Sequence, residues 1–275
     1  MSSTVWRAFE PGLVNELSTL FDPRYLDYRG ADFEAVEQLR LRLGDRIPSK
    51  LEIGSNSGEF LEGLNQRSTA DRPAIGIEHD GTQFNLSVKR RDKRKWQQAE
   101  VLRADARIAV PLLFAPASLD EIHVHFPDPW WKDRHANRRL LEPLFLRILA
   151  RRLRPGGQLF VKSDVFDYLL ALRDYAAASG ALVPLQPEFW PDERSWTHTR
   201  RERKCMQVAL PFGRGYYARS AAFDGALPEA VELAESFVVS EPGKAMELLR
   251  GRPLHDRIQR EVQAASEQRK VNAED

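Results

Sequence analysis

Cys205 is the only cysteine in the chain. That excludes an intramolecular disulfide and a multi-cysteine metal site, and a reducing cytoplasm is the expected compartment. No apolar run reaches the roughly 20 residues that cross a bilayer, so no transmembrane helix is expected. The opening Met1-Ser2-Ser3-Thr4-Val5-Trp6-Arg7 lacks the basic-then-apolar order of a secretory signal. Internal repeats and low-complexity tracts are absent too. Net charge is nearly lacking, at +1. The balance is uneven, however, because residues 221–275 hold eleven acids and seven bases, which leaves the rest of the chain at about +5. That excess is too small to indicate nucleic acid by itself, and the clustering of the bases says more.

What is present is a hydrophobic fraction of 42% over 275 residues, enough for one α/β domain with extensions. Residues 1–48 form an N-terminal arm that reads helical from Phe33 to Leu43. From Lys50 a strand–turn–helix rhythm begins. Strands are expected at Leu51–Ile53, Ala74–Ile77, Ala99–Leu102, Leu119–Phe126 and Leu159–Lys162, and another at Cys205–Leu210. Helices are expected near Glu59–Gln66, Thr82–Lys93 and Arg138–Leu153. Arg154-Pro155-Gly156-Gly157 reads as a helix stop and a turn into the next strand. This alternation predicts a doubly wound, mostly parallel, Rossmann-like sheet over residues 49–219, with ligands beyond the carboxyl ends of its strands. Residues 220–275 read as a helical extension: Pro228–Val239, Lys244–Arg250 and Leu254–Lys270.

Leu51-Glu52-Ile53 runs into the turn Gly54-Ser55-Asn56-Ser57-Gly58, and Glu59 opens a helix. Small residues here let a ligand approach the backbone, although an ordinary tight βα turn looks the same. The dinucleotide fingerprint wants glycine where Glu59 stands. A carboxylate at that helix start repels a pyrophosphate and harms a phosphate-free cofactor less. Glu78 ends the next strand at the spacing of a ribose-binding acid, and Asp105 follows the third. Each acid alone is more often a solvated loop residue or a helix cap.

His125-Phe126-Pro127-Asp128-Pro129-Trp130-Trp131-Lys132 follows the fourth strand. Two prolines flank Asp128, and the residues before them are expected to be extended, so the carboxylate should be held with little ordering cost. His123 and His125 share one strand face and, with no third ligand nearby, read as core histidines rather than metal ligands. Three basic runs follow the same theme: 89–95, 132–139 and 200–204. Any one of them can be a solvated helix face or loop, a reading that stands at even odds for 89–95, while three on one domain point to nucleic acid.

These residues together resemble the bacterial tRNA (guanine-N7-)-methyltransferases. The matching stretches are Leu51-Glu52-Ile53-Gly54, Gly76-Ile77-Glu78, Phe126-Pro127-Asp128-Pro129-Trp130, Lys132, Arg134-His135, Arg138-Arg139, Pro155-Gly156-Gly157, Ser163-Asp164 and Thr199-Arg200-Arg201-Glu202, over roughly residues 48–215. The proline-flanked Asp with its basic run is specific to that family, and the Gly-rich loop is common to class I methyltransferases. The resemblance implies an S-adenosylmethionine-dependent enzyme that modifies N7 of guanine 46 in tRNA, with no metal and no obligatory protein partner. It further implies that Glu52, Gly54, Glu78 and Asp105 contact S-adenosylmethionine and that Asp128 is catalytic and lines the cofactor site. Lys132, Arg134, His135, Arg138, Arg139, Asp164, Thr199, Arg200, Arg201 and Glu202 would hold the RNA. Asn56 stands where family members usually have Gly, and Ser163 where Thr is usual. Asn tolerates left-handed backbone angles, so the turn is expected to survive.

Guanine N7 carries an exposed lone pair and needs no deprotonation before attack. The chemistry therefore calls for alignment and for stabilisation of a ring that becomes cationic, which a fixed carboxylate supplies. Two rivals stand beside this reading. An N6-adenine or N4-cytosine methyltransferase would carry Asp/Asn-Pro-Pro-aromatic, whereas only Pro129 separates Asp128 from Trp130 here. A non-catalytic tRNA-binding protein on a decayed fold would be marked by failure to bind the cofactor.

Overall fold

A computed structural model describes residues 30–129 and 140–227. The expected helices of the C-terminal extension and the run Lys132–Arg139 lie outside the described residues. The elements in chain order are α1 (Gly30–Leu43), β1 (Lys50–Ile53), α2 (Glu59–Gln66), β2 (Ala74–Glu78), α3 (Gly81–Arg94), β3 (Ala99–Arg103), α4 (Ala106–Leu113) and β4 (Leu119–His125). Then follow α5 (Pro143–Arg152), β5 (Leu153–Ser163), α6 (Phe166–Ser179), β6 (Leu182–Pro184), α7 (Arg200–Gln207) and β7 (Gly213–Arg219). Two short 3-10 turns, Pro187–Phe189 and Glu193–Ser195, bridge β6 and α7.

Among the described residues the strands form one seven-stranded sheet in the order β3-β2-β1-β4-β5-β7-β6. β1 to β5 run parallel, and β7 is antiparallel to both β5 and β6. This is the doubly wound, mostly parallel, Rossmann-like sheet that the alternation predicts. The order reverses at β1, between β2 and β4, which places a crevice at the carboxyl ends of those strands.

Side-chain alternation divides the sheet into two unlike faces. One face packs Leu51, Ile53, Ile75, Ile77, Ile122, Val124, Leu159 and Val161 against the inner sides of α1, α4, α5 and α6. Gly30–Leu43 precedes residue 49, yet Phe33, Val36, Leu39 and Leu43 are buried in this same core. The opposite face carries Phe60, Leu61 and Leu64 of α2 with Trp96, Phe160, Trp196 and Tyr216.

Local chemistry sets most boundaries. Asp80 caps α3 by accepting the Gln83 amide at 2.9 Å, and α5 begins at a proline. Three sequence expectations need correction. Cys205–Leu210 is not a strand, because the Thr199/Glu202 capping box starts α7, which runs through Cys205 to Gln207. The strand comes later, at Gly213–Arg219. The chain after α5 stays in the sheet: Leu153 pairs with Leu119 and Gln158 with Glu121, so Arg154–Gly157 is a bulge inside β5, with Gly156 at φ +75°. Helices α4 and α6 also belong to the rhythm, although neither is among the expected ones.

Candidate active site

The first βα turn is made by two glycines and an asparagine with left-handed backbones: Gly54 at φ +76°, Asn56 at +48° and Gly58 at +77°. A Cβ at Gly58 would lie 2.4 Å from Ser87 Oγ, so the turn also packs tightly onto α3. A Cβ at Gly54 would meet nothing within 4 Å, because that backbone faces open space. Asn56 holds the left-handed position by accepting the Ser57 amide on its own Oδ1 at 2.9 Å. Glu78 then clamps the turn. Its Oε2 accepts the Asn56 amide at 2.8 Å and its Oε1 accepts the Asp80 amide at 2.8 Å.

The turn forms one wall of a cleft of about 960 Å³ across the carboxyl ends of β1 to β5. Glu52, Gly54, Glu78, Asp105, Asp128, Asp164, Thr199, Arg200 and Arg201 all line it. Glu202, Lys132, Arg134, His135, Arg138 and Arg139 complete the expected set. Glu202 lies beneath the floor, and the others lie outside the described residues.

Each carboxylate is held differently. Glu52 is 2% exposed, and its Oε2 has no hydrogen-bond partner among the described residues. Burial, then the negative charges of Glu78, Glu202 and Glu59, push its carboxyl well above the usual range. Asp105 caps α4 through the Arg107 amide at 2.8 Å, and the Arg107 guanidinium grips it at 2.8 Å. Asp164 is buried and paired with Arg201. Asp128 is exposed at the mouth between its two prolines.

Phe126 corrects another expectation. A residue before proline favours extended backbone, yet Phe126 sits at φ +52°. Its amide donates to the Lys162 carbonyl at 2.7 Å, and its ring meets Phe212 edge-on at 5.7 Å. These contacts over-determine a sparsely populated conformation at the point where β4 turns to present Asp128.

Below the cleft lies a layer of buried polar residues. Lys162 Nζ donates to Glu202 Oε1 at 2.7 Å and lies 2.9 Å from Glu193 Oε2, with its ammonium over the Trp196 ring. Glu202 accepts the Thr199 amide at 2.7 Å on its other oxygen. One lysine thereby fixes the start of α7 and, with it, the positions of Thr199, Arg200 and Arg201. His125 projects from β4 next to Lys162, at T-shaped contact with Phe60, and neither ring nitrogen has a partner among the described residues. Burial, then His123 and Lys162, hold its pKa well below the usual histidine value, so the ring is neutral.

Comparison with known proteins shows where this arrangement belongs. The family described as "Putative methyltransferase" matches residues 46–212. A tRNA (guanine-N(7)-)-methyltransferase of Myxococcus xanthus (strain DK1622) is 36% identical over 182 residues, which cover 63% of this chain and 84% of that one. Its counterpart in Synechococcus sp. (strain JA-3-3Ab) is 32% identical over 190 residues, covering 66% and 76%. The chain belongs to the bacterial tRNA (guanine-N7-)-methyltransferase family. Among solved structures, the 16S rRNA methyltransferase KamB aligns with a TM-score of 0.44 at 17% identity, covering 67% of this chain and 92% of that one. The fold assignment itself rests on the strand order.

The cleft suits the methyl donor of this family. Gly54 offers open backbone, and the unpartnered Glu52 oxygen offers a buried acceptor to a cationic ligand. Ser163 supplies the hydroxyl that accepts the Val165 amide at 3.0 Å, a contact that Ser and Thr both provide. The residues that sequence reasoning missed are Arg107, which grips Asp105, and the pair Lys162–Glu193. Only Lys162 left a signal, as a lysine at an inward position of an otherwise apolar strand. Among the described residues no cluster of His, Cys, Asp and Glu has the makings of a metal site, and no helix is long and apolar enough to cross a membrane.

Proposed function

We propose that the protein transfers the methyl group of S-adenosylmethionine to N7 of guanine 46 in the variable loop of tRNA, in the cytoplasm and without a metal or a protein partner. The observation that carries this reading is the convergence of Glu52, Glu78, Asp105, Asp128 and Asp164 on one cleft, at the ends of five successive parallel strands. When bound, S-adenosylmethionine supplies an electrophilic methyl group on a positively charged sulfur. Glu52 and the Gly54 backbone receive its cationic end, while Glu78 and Asp105 face its sugar and base.

Asp128 needs no strong basicity, because N7 attacks with a free lone pair. Its carboxylate accepts hydrogen bonds from the guanine N1–H and exocyclic N–H, which stabilises the charge that develops on the ring and rejects adenine. Asp164 and Thr199–Arg201 position the base, Glu202 acts from beneath by holding the start of α7, and Lys132, Arg134, His135, Arg138 and Arg139 contact the phosphates. The contacts of Phe126 with Lys162 and Phe212 hold the turn that presents Asp128.

The test is single-turnover methylation of unmodified tRNA with labelled donor, followed by nucleoside analysis. The label should appear as 7-methylguanosine and vanish when guanine 46 is replaced by adenine. Asp128→Asn should lower the rate on the order of a hundredfold, with Tm and tRNA affinity far less affected. Turnover within a few-fold of the unsubstituted protein would remove Asp128 from the chemistry, and no label at all would favour an RNA-binding protein without activity.

A further inference from the structure

A second cavity, a groove of about 440 Å³, adjoins the cleft and shares Ser57, Glu59 and Arg200 with it. Its long wall is α3. Phe84, Ser87, Val88 and Arg91 form the inward stripe of that helix: Ser87 is buried, Phe84 and Val88 pack on the aromatic core, and Arg91 pairs with Glu100. The opposite stripe, at the same helical spacing, is Leu86, Lys89, Arg90, Lys93 and Arg94, and it lines the groove.

The bases in the groove fall into two kinds. Arg90 is tied to Glu62 at 3.0 Å and to Glu59 at 3.4 Å, and Arg94 reaches Glu62 at 3.4 Å. These two arginines build the wall. Lys89, Lys93 and Arg200 are exposed and form no ion pair among the described residues. Lys89 and Lys93 stand one helical turn apart, so their ammonium groups form a row leading away from the cleft. Leu86, 42% exposed, adds an apolar contact in the same row.

We propose that this groove is a binding track for the sugar–phosphate backbone of the RNA substrate, in which Lys89 and Lys93 each neutralise a phosphate flanking the base held in the cleft. The proposal rests on the reading of the cleft as a site for an RNA base. Its own support is the continuity of groove and cleft through Arg200, and the charge complementarity of unpaired lysines with a polyanion. A solvated helix face requires neither a concave wall nor an arginine scaffold braced by half-buried acids.

The experiment compares the intact chain with Lys89→Ala/Lys93→Ala and with Lys89→Arg/Lys93→Arg, measuring tRNA binding across a series of salt concentrations. The double alanine variant should flatten the log–log salt slope by about two, roughly one for each lost phosphate contact. It should raise KM for tRNA several-fold and leave kcat, Tm and affinity for S-adenosylhomocysteine unchanged. The arginine variant should keep the original slope. Normal methylation by the intact chain with an unchanged slope in the alanine variant overturns the groove alone. A flattened slope with no methylation by the intact chain overturns the reading of the cleft and upholds the groove. Failure of the intact chain to bind tRNA overturns both.

Discussion

On one face of the central strands stand Leu51, Ile122, Val124, Leu159 and Val161, all at 1% exposure or less. On the other face the same strands present Glu52, His123, His125, Phe160 and Lys162, which are nearly as deeply buried. The first face contributes stability through apolar area and asks only for packing. The second buries ionisable groups, which costs free energy unless each finds a partner. Lys162 has two carboxylates, and Glu52 and His125, which line the cleft, keep atoms with no hydrogen-bond partner among the described residues. Stability and chemistry are thus divided between the two sides of one strand, one residue apart.

The largest effect should come from breaking the polar side. Lys162→Ala leaves Glu202 buried with no cation and should cost about 3–5 kcal/mol. The urea midpoint reads this directly, and Lys162→Met combined with Glu202→Gln should regain much of it. A loss below about 1 kcal/mol would mean that the layer is more hydrated than its burial suggests. Leu159→Ala, on the opposite face and three residues earlier, should cost about 2–5 kcal/mol through the cavity it leaves. Its methylation rate per folded molecule should not change. A fall in that rate without loss of stability would end the division of labour between the faces.

A smaller effect, seen as a slope, is expected at Glu52. Its folded pKa is raised, so ionisation opposes the fold. The contribution of the neutral carboxyl is fully present below about 4.5 and is lost as pH rises through the raised value. Glu52→Gln should therefore flatten the decline in stability of the cofactor-free protein on the alkaline side of 4.5 while weakening cofactor binding. Parallel stability–pH curves for variant and parent would place the destabilising charge elsewhere.

Much of the fold was legible because its signals are local. Alternation located β1 to β4 within a residue or two, and Glu59–Gln66 needed only its glycine punctuation and apolar spacing. Asp105 satisfied two readings at once, helix cap and cleft lining, which no sequence pattern separates. The misreadings have physical causes. Cys205–Leu210 resembles a strand until the capping box seven residues upstream of Met206 is given priority. Phe126 obeys tertiary contacts over the pre-proline preference. The Lys162 network joins residues 31 and 40 positions apart (Glu193 and Glu202), a separation at which no spacing rule operates.

The placement of β7 between β5 and β6 bears on how the chain is made. Among the described residues β6 has no sheet neighbour except β7, so Leu182–Pro184 must wait for Gly213–Arg219 before it can pair. During synthesis the five parallel strands can assemble with their side of the cleft while this edge stays open. α7, which brings Thr199, Arg200 and Arg201, is tethered immediately before β7 and docks with it. A nascent chain can therefore gain the cleft wall that carries Glu52, Gly54 and Glu78 before the wall that carries Thr199, Arg200 and Arg201. The finished cleft reports that translation has passed residue 219.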